Sequence, residues 1–351
     1  MAYINFQPSD FFNTVLYTGD GTAIGSGGQS ITGVGFQPDW VWTKARSQPH
    51  SHTLYDSSRG VQKPLVTNSN ASESTETEGL NSFDSDGFTT GNKDNSGQSG
   101  TTYASWHWKA NGGTTSSNSD GSITSTVQAN TTSGFSVVTY TGTGTAGTVG
   151  HGLGSTVAMV ITKSRDSASA WQIYNKDLGK DKTVQLNETA STATISNYWG
   201  TSTPNSTVFG VIGGGYNNNL SGQATIAYCF AEVKGYSKFG SYTGNGSNDG
   251  PFVYTGFRPS FIMYKNTSRS TAGAIWWMWD TTRDTRNPTD LYLRANDSLA
   301  EGSFDSLDIL SNGFKLRTSD GGQNASGETI IYMAFAENPF VTSTSIPVTA
   351  R

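Results

Sequence analysis

The chain has 351 residues, which is enough for two or three domains of ordinary size. Only 14% of the residues are charged, against about 25% in an average globular protein, and the net charge of −5 excludes strong attraction to a nucleic-acid backbone. Aromatic residues make up 12% of the chain, too many for a disordered protein, and a single cysteine, Cys229, excludes an intramolecular disulfide framework.

Two further classes are excluded by the pattern of apolar residues. No apolar run approaches the roughly 20 residues of a membrane-spanning helix, so we expect no membrane insertion. The opening segment, MAYINFQPSDFFNT, lacks the basic and apolar stretches of a signal peptide. A protein that acts outside a cell would then need another route of release, and lysis of a host cell that has assembled virus particles is one such route.

Three landmarks recur in the same order along the chain and predict three repeats of about 100 residues. The tripeptide Tyr-Thr-Gly begins at Tyr17, Tyr140 and Tyr242. Downstream come GFQPDWVWTK, HGLGSTVAMVITK and GFRPSFIMYK, which end at Lys44, Lys163 and Lys265. The repeats close on SGTTYASWHWKA, SGQATIAYCFAE and SGETIIYMAFAE.

The repeats are predicted to consist of strands. DWVWTK, VAMVITK and FIMYK are short β-branched and aromatic runs, and Asn-Gly, Asp-Gly and Gly-Gly pairs between such runs predict tight turns. No long window has the 3.6-residue apolar period of a helix. We therefore expect an all-β fold of three tandem antiparallel β-sandwiches.

The landmarks also set the expected boundaries. In chain order these are an N-terminal docking arm (1–15), a first β-sandwich (16–113), a linker (114–134), a second β-sandwich (135–236), a third (237–340) and a C-terminal tail (341–351). The linker is predicted because its segment has almost no large apolar residues.

Several of these stretches resemble a domain that recurs in tail and fibre proteins of tailed bacteriophages, especially phages of marine bacteria. The resemblance is carried by NFQPSDFFNTVLYTGDG, GFQPDWVWTKAR, TLYDSSRG and NSGQSGTTYASWHWKANGG, and extends over about residues 3–340. It implies a virion component with concanavalin-like or SPRY-like sandwiches, assembled in the bacterial cytoplasm and released by lysis. It brings no known set of catalytic residues.

The function expected from this resemblance is that of a non-enzymatic tail-fibre or tail-tip protein that contributes to host recognition. Its partners would be other virion proteins, host-surface glycan and further copies of itself, with a homotrimer favoured by analogy with fibres. One alternative is a capsid decoration or adaptor protein that binds virion partners only. Another is a polysaccharide depolymerase, although no catalytic motif recurs in the repeats. No cofactor motif is present.

The third repeat holds the densest aromatic cluster, Trp276, Trp277 and Trp279, close to Arg283. If the protein binds glycan, we expect it to do so here, because indoles pack on sugar rings and charged side chains bind their hydroxyls. The alternative is that these indoles belong to a sandwich core. Asp280-x-x-Arg283 and its counterpart Asp56-x-x-Arg59 predict a turn closed by a carboxylate–guanidinium bond, with contact to a glycan or partner as the alternative.

His50 and His52 are the weak candidates for a metal site. In an extended chain the two imidazoles lie on one side, and three copies around a trimer axis could offer six nitrogens. The preceding Pro49 favours an ordinary loop instead, so we expect no bound metal.

Overall fold

The computed structural model describes residues 4–270 and 274–338, together with the backbone of 340–341 and 347–348. The described residues are almost entirely strands and turns, which confirms the all-β fold. Within these residues, helices are limited to α1 (Gly321–Asn324) and to two 3₁₀ turns at Pro8–Asp10 and Ile24–Ser26. No helix in the described part of the chain has the length and hydropathy to cross a membrane.

The strands fall into three groups along the chain. The first unit contains β1 (Phe12–Thr18), β2 (Gln29–Ile31), β3 (Trp40–Ala45), β4 (Thr53–Asp56), β5 (Leu65–Val66), β6 (Leu80–Asp84), β7 (Gly87–Thr90) and β8 (Thr102–Trp108). Next come β9 (Ser116–Asn118) and β10 (Ser125–Asn130). The second unit contains β11 (Phe135–Thr141), β12 (Gly147–Gly150), β13 (Val157–Ser164), β14 (Gln172–Asn175), β15 (Lys182–Gln185), β16 (Ala193–Thr194), β17 (Val208–Val211) and β18 (Ala224–Ala231).

The third unit contains β19 (Ser237–Thr243), β20 (Phe252–Tyr254), β21 (Pro259–Asn266), β22 (Trp276–Asp280), β23 (Thr289–Arg294), β24 (Gly302–Leu310), β25 (Gly313–Leu316) and β26 (Thr329–Ala336). Two short strands, β27 (Phe340–Val341) and β28 (Pro347–Val348), pair with each other after it. The rest of the predicted C-terminal tail lies outside the described residues.

One strand order occurs in the main sheet of every unit. It is β1-β8-β3-β4-β5 in the first unit, β11-β18-β13-β14-β15 in the second and β19-β26-β21-β22-β23 in the third. A smaller set of strands covers the outer face: β2-β7-β6, β12-β17 and β20-β25-β24, the last of which is continuous with its main sheet because β23 also pairs with β24. All pairs between these strands are antiparallel, so each unit is a small antiparallel sandwich.

The registers of the sheets relate residues of one unit to those of the next. Lys44, Lys163 and Lys265 occupy the same place in their units, opposite Ala104, Ile226 and Ile331. The same pairing makes Asp56, Asn175 and Asp280 equivalent, opposite Trp40, Met159 and Phe261.

The inner faces of the three main sheets meet in one central core. Phe12 stacks on Phe335 at a ring distance of 5.1 Å, and Trp40 stacks on Tyr228 at 4.6 Å. Phe230 of the second unit and Phe335 of the third are 6.0 Å apart. Each unit thus buries one sheet face against both of the others.

The outer face of each main sheet packs on a separate core inside its own unit. Phe88, Phe209 and Phe314 of the smaller sheets lie in these outer cores, and each side chain is fully buried. The central strands are therefore covered on both sides, so alternation of side chains leaves no face of them in water.

Neighbouring units are joined by equivalent backbone hydrogen bonds that form a closed ring. Glu73 N donates to Arg165 O at 2.8 Å, Thr192 N to Thr267 O at 2.9 Å, and Glu301 N to Arg46 O at 2.8 Å. The first unit thereby contacts the second, the second the third, and the third the first. A head-to-tail interface that closes in this way resembles that of a cyclic oligomer, here within a single chain.

Two of the predicted boundaries need correction. The expected linker holds β9 and β10, which extend the second main sheet beyond β11. Sequence patterns missed β9 because SSN has no apolar residue, and missed β10 because its only apolar residues, Val127 and Ala129, are few and small. Residues 12–15 of the expected docking arm belong to β1, and residues 4–11 pack on the chain itself.

Candidate functional site

The tryptophan cluster of the third unit is buried. Trp276 points into the central core, while Trp277 and Trp279 point into the outer core of the third unit. The most exposed of the three, Trp277, has only 6% of its surface in contact with solvent. These indoles therefore belong to sandwich cores, the alternative to glycan binding, because β22 lies between two cores, and a sugar ring could not stack on them.

Arg283, the fourth predicted binding residue, is also fully buried and closes a turn. Its Nε donates to Asp280 Oδ2 at 2.5 Å, and its backbone N–H donates to Asp280 Oδ1 at 2.8 Å. Trp106 of the first unit donates to the same carboxylate at 3.1 Å. Burial opposes the charge of Arg283, but Asp280 and Glu301 outweigh it and raise the pKa of the guanidinium.

The equivalent turn in the first unit has the same construction. Arg59 Nε donates to Asp56 at 2.5 Å, and Tyr228 of the second unit donates to that carboxylate at 2.7 Å. Glu73 accepts from Arg59 at 3.0 Å and from Arg165 of the second unit at 2.9 Å. The predicted carboxylate–guanidinium turn is confirmed, and in both units it also joins one unit to the next.

The second unit lacks this network, and its partners change with it. Asn175 and Leu178 occupy the positions of the buried Asp and Arg, as the repeat alignment indicates. Met333 of the third unit, opposite Met263, occupies the position of the Tyr228 or Trp106 donor. Thr192 and Thr267 stand where the other interfaces have a bridging Glu and its second Arg. All these charges are missing together, as expected if they form one structural network.

The three equivalent lysines are fully buried and also form hydrogen bonds between neighbouring units. Lys44 donates to Ser298 O at 3.3 Å, Lys163 to Asn70 O at 3.3 Å, and Lys265 to Glu188 O at 3.1 Å, each carbonyl belonging to a neighbouring unit. Burial lowers the pKa of each lysine to about 8. Their positions inside the interfaces favour a structural role.

The two histidines do not form a pair of metal ligands. His52 is buried and its Nδ1 accepts a hydrogen bond from Trp42 at 2.9 Å. Burial, and to a lesser extent Lys44, lowers its pKa well below the usual value. His50 lies near the surface, with Nε2 at 2.8 Å from Gln98 Oε1. Over the described residues, no group of three or more His, Cys, Asp and Glu side chains converges as a metal site.

The third unit has exposed aromatic side chains that its sequence pattern did not predict. Phe252 and Tyr254 are 45% and 64% exposed, and both project outward from β20, whereas Val253 between them is buried. They lie beside Gly313 and Lys315 of β25. The ring of Phe252 covers Gly313, where an added Cβ would lie 3.0 Å from it. We call Phe252, Tyr254 and Lys315 the aromatic face. Phe304 on β24 is a further exposed ring in this unit, at 44%.

The other two units show that the aromatic face is not a requirement of the fold. Val253 is equivalent to Ile31 and Val149, since each lies opposite the buried phenylalanine of its smaller sheet. Phe252 therefore corresponds to Ser30 and Thr148, and Tyr254 corresponds to Thr32 and Gly150. Small residues suffice at these positions in two units, so the fold itself does not require aromatic rings there.

The charges around the aromatic face are paired. Lys315 Nζ lies 2.8 Å from Asp249 Oδ1, and Arg317 Nε donates to Asp308 at 2.5 Å. Lys315, through its hydrogen bond and its charge, lowers the pKa of the exposed Asp249. The surface therefore combines flat apolar rings with hydrogen-bonding groups that have little net charge.

Comparison with known proteins adds a family but no activity. No curated protein and no solved structure matches the chain. Residues 7–339 match the family model of DUF7483, described as a domain of unknown function. Because this match covers most of the 351 residues, the chain belongs to the DUF7483 family.

Proposed function

We propose that this protein is a non-enzymatic component of a tailed-phage virion, in the tail fibre or tail tip, and that its aromatic face binds host-surface polysaccharide. The observation that carries the proposal is the pair of exposed rings, Phe252 and Tyr254, at positions where the other two units have small residues. Large exposed aromatic residues are enriched at recognition surfaces.

The chemistry of the aromatic face favours a saccharide. Sugar rings offer C–H faces that pack on aromatic rings, and their hydroxyls can both donate and accept hydrogen bonds. Lys315 and Arg317 next to Asp249 and Asp308 provide donors and acceptors side by side. Because each of these cations faces a carboxylate, the surface favours a neutral polysaccharide over a phosphate-rich polymer.

The virion setting rests on the sequence resemblance to phage tail and fibre proteins. The acids beside the aromatic face are engaged by Lys315 and Arg317, which favours binding over catalysis. A paired-carboxylate glycosidase would need one acid free to protonate a leaving group.

The test replaces the aromatic face by the residues of the first unit. We expect the double variant F252S/Y254T to fold normally and to raise the dissociation constant for envelope polysaccharide of marine bacteria at least tenfold. The control is V61S, which removes a similarly exposed apolar side chain, 38% accessible, from the first unit. It should change the dissociation constant by less than twofold.

Other outcomes would overturn the proposal. Equal binding by wild type and F252S/Y254T would remove the aromatic face as the site. Absence of polysaccharide binding, with retention of the protein by other virion proteins, would favour the capsid decoration or adaptor alternative. Release of oligosaccharides during the assay would overturn the non-enzyme assignment.

A further inference from the structure

A polar cleft of about 510 Å³ lies where β9 and β10 extend the second main sheet. Its size falls within the range of about 300–1,000 Å³ that is usual for small-molecule sites. Among the described residues, β9 and β10 have no counterpart in the other units, because β1 and β19 are edge strands whereas β11 is followed by β10 and β9. Like the aromatic face, the cleft is formed by features that one unit has and the other two lack.

The floor of the cleft is apolar. Val127 and Ala129 on β10 point toward it, on the side that carries the outer core of the second unit. Gly152 closes the floor, and its φ of 72° together with the close approach requires glycine. A Cβ at this position would lie 3.2 Å from both Val127 and Ala129.

The walls of the cleft are polar and carry one charged group. Asn118 and Asp120 form one wall, where Asn118 Nδ2 donates to Asp120 Oδ2 at 2.9 Å and Asn118 Oδ1 accepts from Asp120 N at 3.0 Å. These bonds fix both side chains. Ser206 and Thr207 add further hydroxyl groups to the lining.

We propose that this cleft is a second binding site, for a neutral sugar ring at the end of a glycan. A sugar ring has an apolar C–H face, which fits the floor of Val127 and Ala129, and a rim of hydroxyls, which fits the polar walls. Asp120 can accept from two neighbouring hydroxyls. The carboxylate would repel a phosphate or an acidic sugar. The cleft is separate from the aromatic face, and this inference stands without it.

The experiment uses two variants on one short strand. Ser116 and Ser117 are both exposed, but alternation along β9 directs Ser116 into the cleft and Ser117 away from it. Binding of the methyl glycosides of glucose, galactose, mannose and N-acetylglucosamine is measured by saturation-transfer NMR on the full chain. At least one glycoside should bind, S116W should weaken it at least tenfold, and S117W should leave it within twofold of wild type.

Three results would overturn the inference. The first is that none of the four glycosides shows saturation transfer. The second is that S116W and S117W bind the glycoside equally. The third is that F252S/Y254T abolishes saturation transfer while S116W preserves it. The last result would place the sugar on the aromatic face. Conversely, transfer that survives in F252S/Y254T and is lost in S116W supports the cleft even if the aromatic face binds nothing.

Discussion

Buried ion pairs hold two of the three interfaces, and their energetic role can be measured at single residues. Asp280 and Arg283 are both fully buried and joined by two hydrogen bonds. Removing one member of such a pair leaves an uncompensated charge in the interior, which is much more costly than removing both. The second unit already contains the neutral version, with Asn175 and Leu178.

We therefore predict that R283L lowers the free energy of unfolding by about 3–5 kcal/mol. The double variant D280N/R283L, which copies the second unit, should regain at least about 1 kcal/mol of that loss. Guanidinium unfolding followed by tryptophan fluorescence measures both. If the double variant loses as much as the single variants R283L and D280N added together, the pair does not act as a coupled unit.

The tryptophans predicted as a glycan site are buried, and local sequence does not show why. Alternation along β22 puts Trp276 and Trp277 on opposite sides of the strand. It cannot reveal that both sides are covered, because the central core is made by three sheets that are distant in sequence. The aromatic face did leave a signal, a fourth Tyr-Thr-Gly at Tyr254 that has no counterpart in the other repeats.

Among the elements, the N-terminal segment has a role within the fold. Phe6 and Phe11 contact each other at a ring distance of 4.8 Å, and Phe6 contacts Tyr236 at 5.5 Å. Ser9 exchanges hydrogen bonds with Asn338 at 2.9 Å. The segment thus joins the beginning of the first unit to the end of the third.

We predict that F6A/F11A lowers the free energy of unfolding by about 2–4 kcal/mol, since both rings are partly buried against the central core. F304A is the matched control, because Phe304 is 44% exposed. It should change the free energy of unfolding by less than about 0.5 kcal/mol. Denaturant titration of the full chain gives all three values. An unchanged stability in F6A/F11A would instead favour an arm that is free to dock elsewhere.

Strands rich in large apolar residues could be predicted from the sequence, and strands made of small polar residues could not. DWVWTK, VAMVITK and FIMYK form the central strands β3, β13 and β21, with their lysines in equivalent positions, because their alternating large side chains fill two cores. SSN in β9 carries no such pattern, and its strand exists only because β10 pairs with it. Long-range pairing of this kind is not encoded by local residue types.

At the scale of the whole molecule, the shared core predicts one cooperative unfolding transition. Each unit buries the inner face of its main sheet on the other two, so a single unit would expose the apolar residues of that face. We predict one calorimetric transition for the full chain, with a calorimetric-to-van't Hoff enthalpy ratio close to unity. Residues 12–110 alone should show no near-ultraviolet circular dichroism. Three separate transitions, or a folded fragment, would contradict this.

The homotrimer expected from the sequence stays a prediction, and a mass measurement in solution decides it. The threefold arrangement that fibres obtain by association is present here within one chain, through three equivalent backbone contacts between units. Close packing of symmetric interfaces is therefore achieved without a second copy.

The hydrogen bonds between Ser9 and Asn338 place the start of the first unit beside the end of the third. Because the three units form a closed ring, the fold does not require the polypeptide to start in the first unit rather than in another. The turn around Thr114, exposed and located between the first and second units, is a natural place for a new terminus. A circular permutant that opens there and joins residues 4 and 338 by a linker would keep the strand pairs of the three units, so the order of the units along the gene could change while the ring stayed the same.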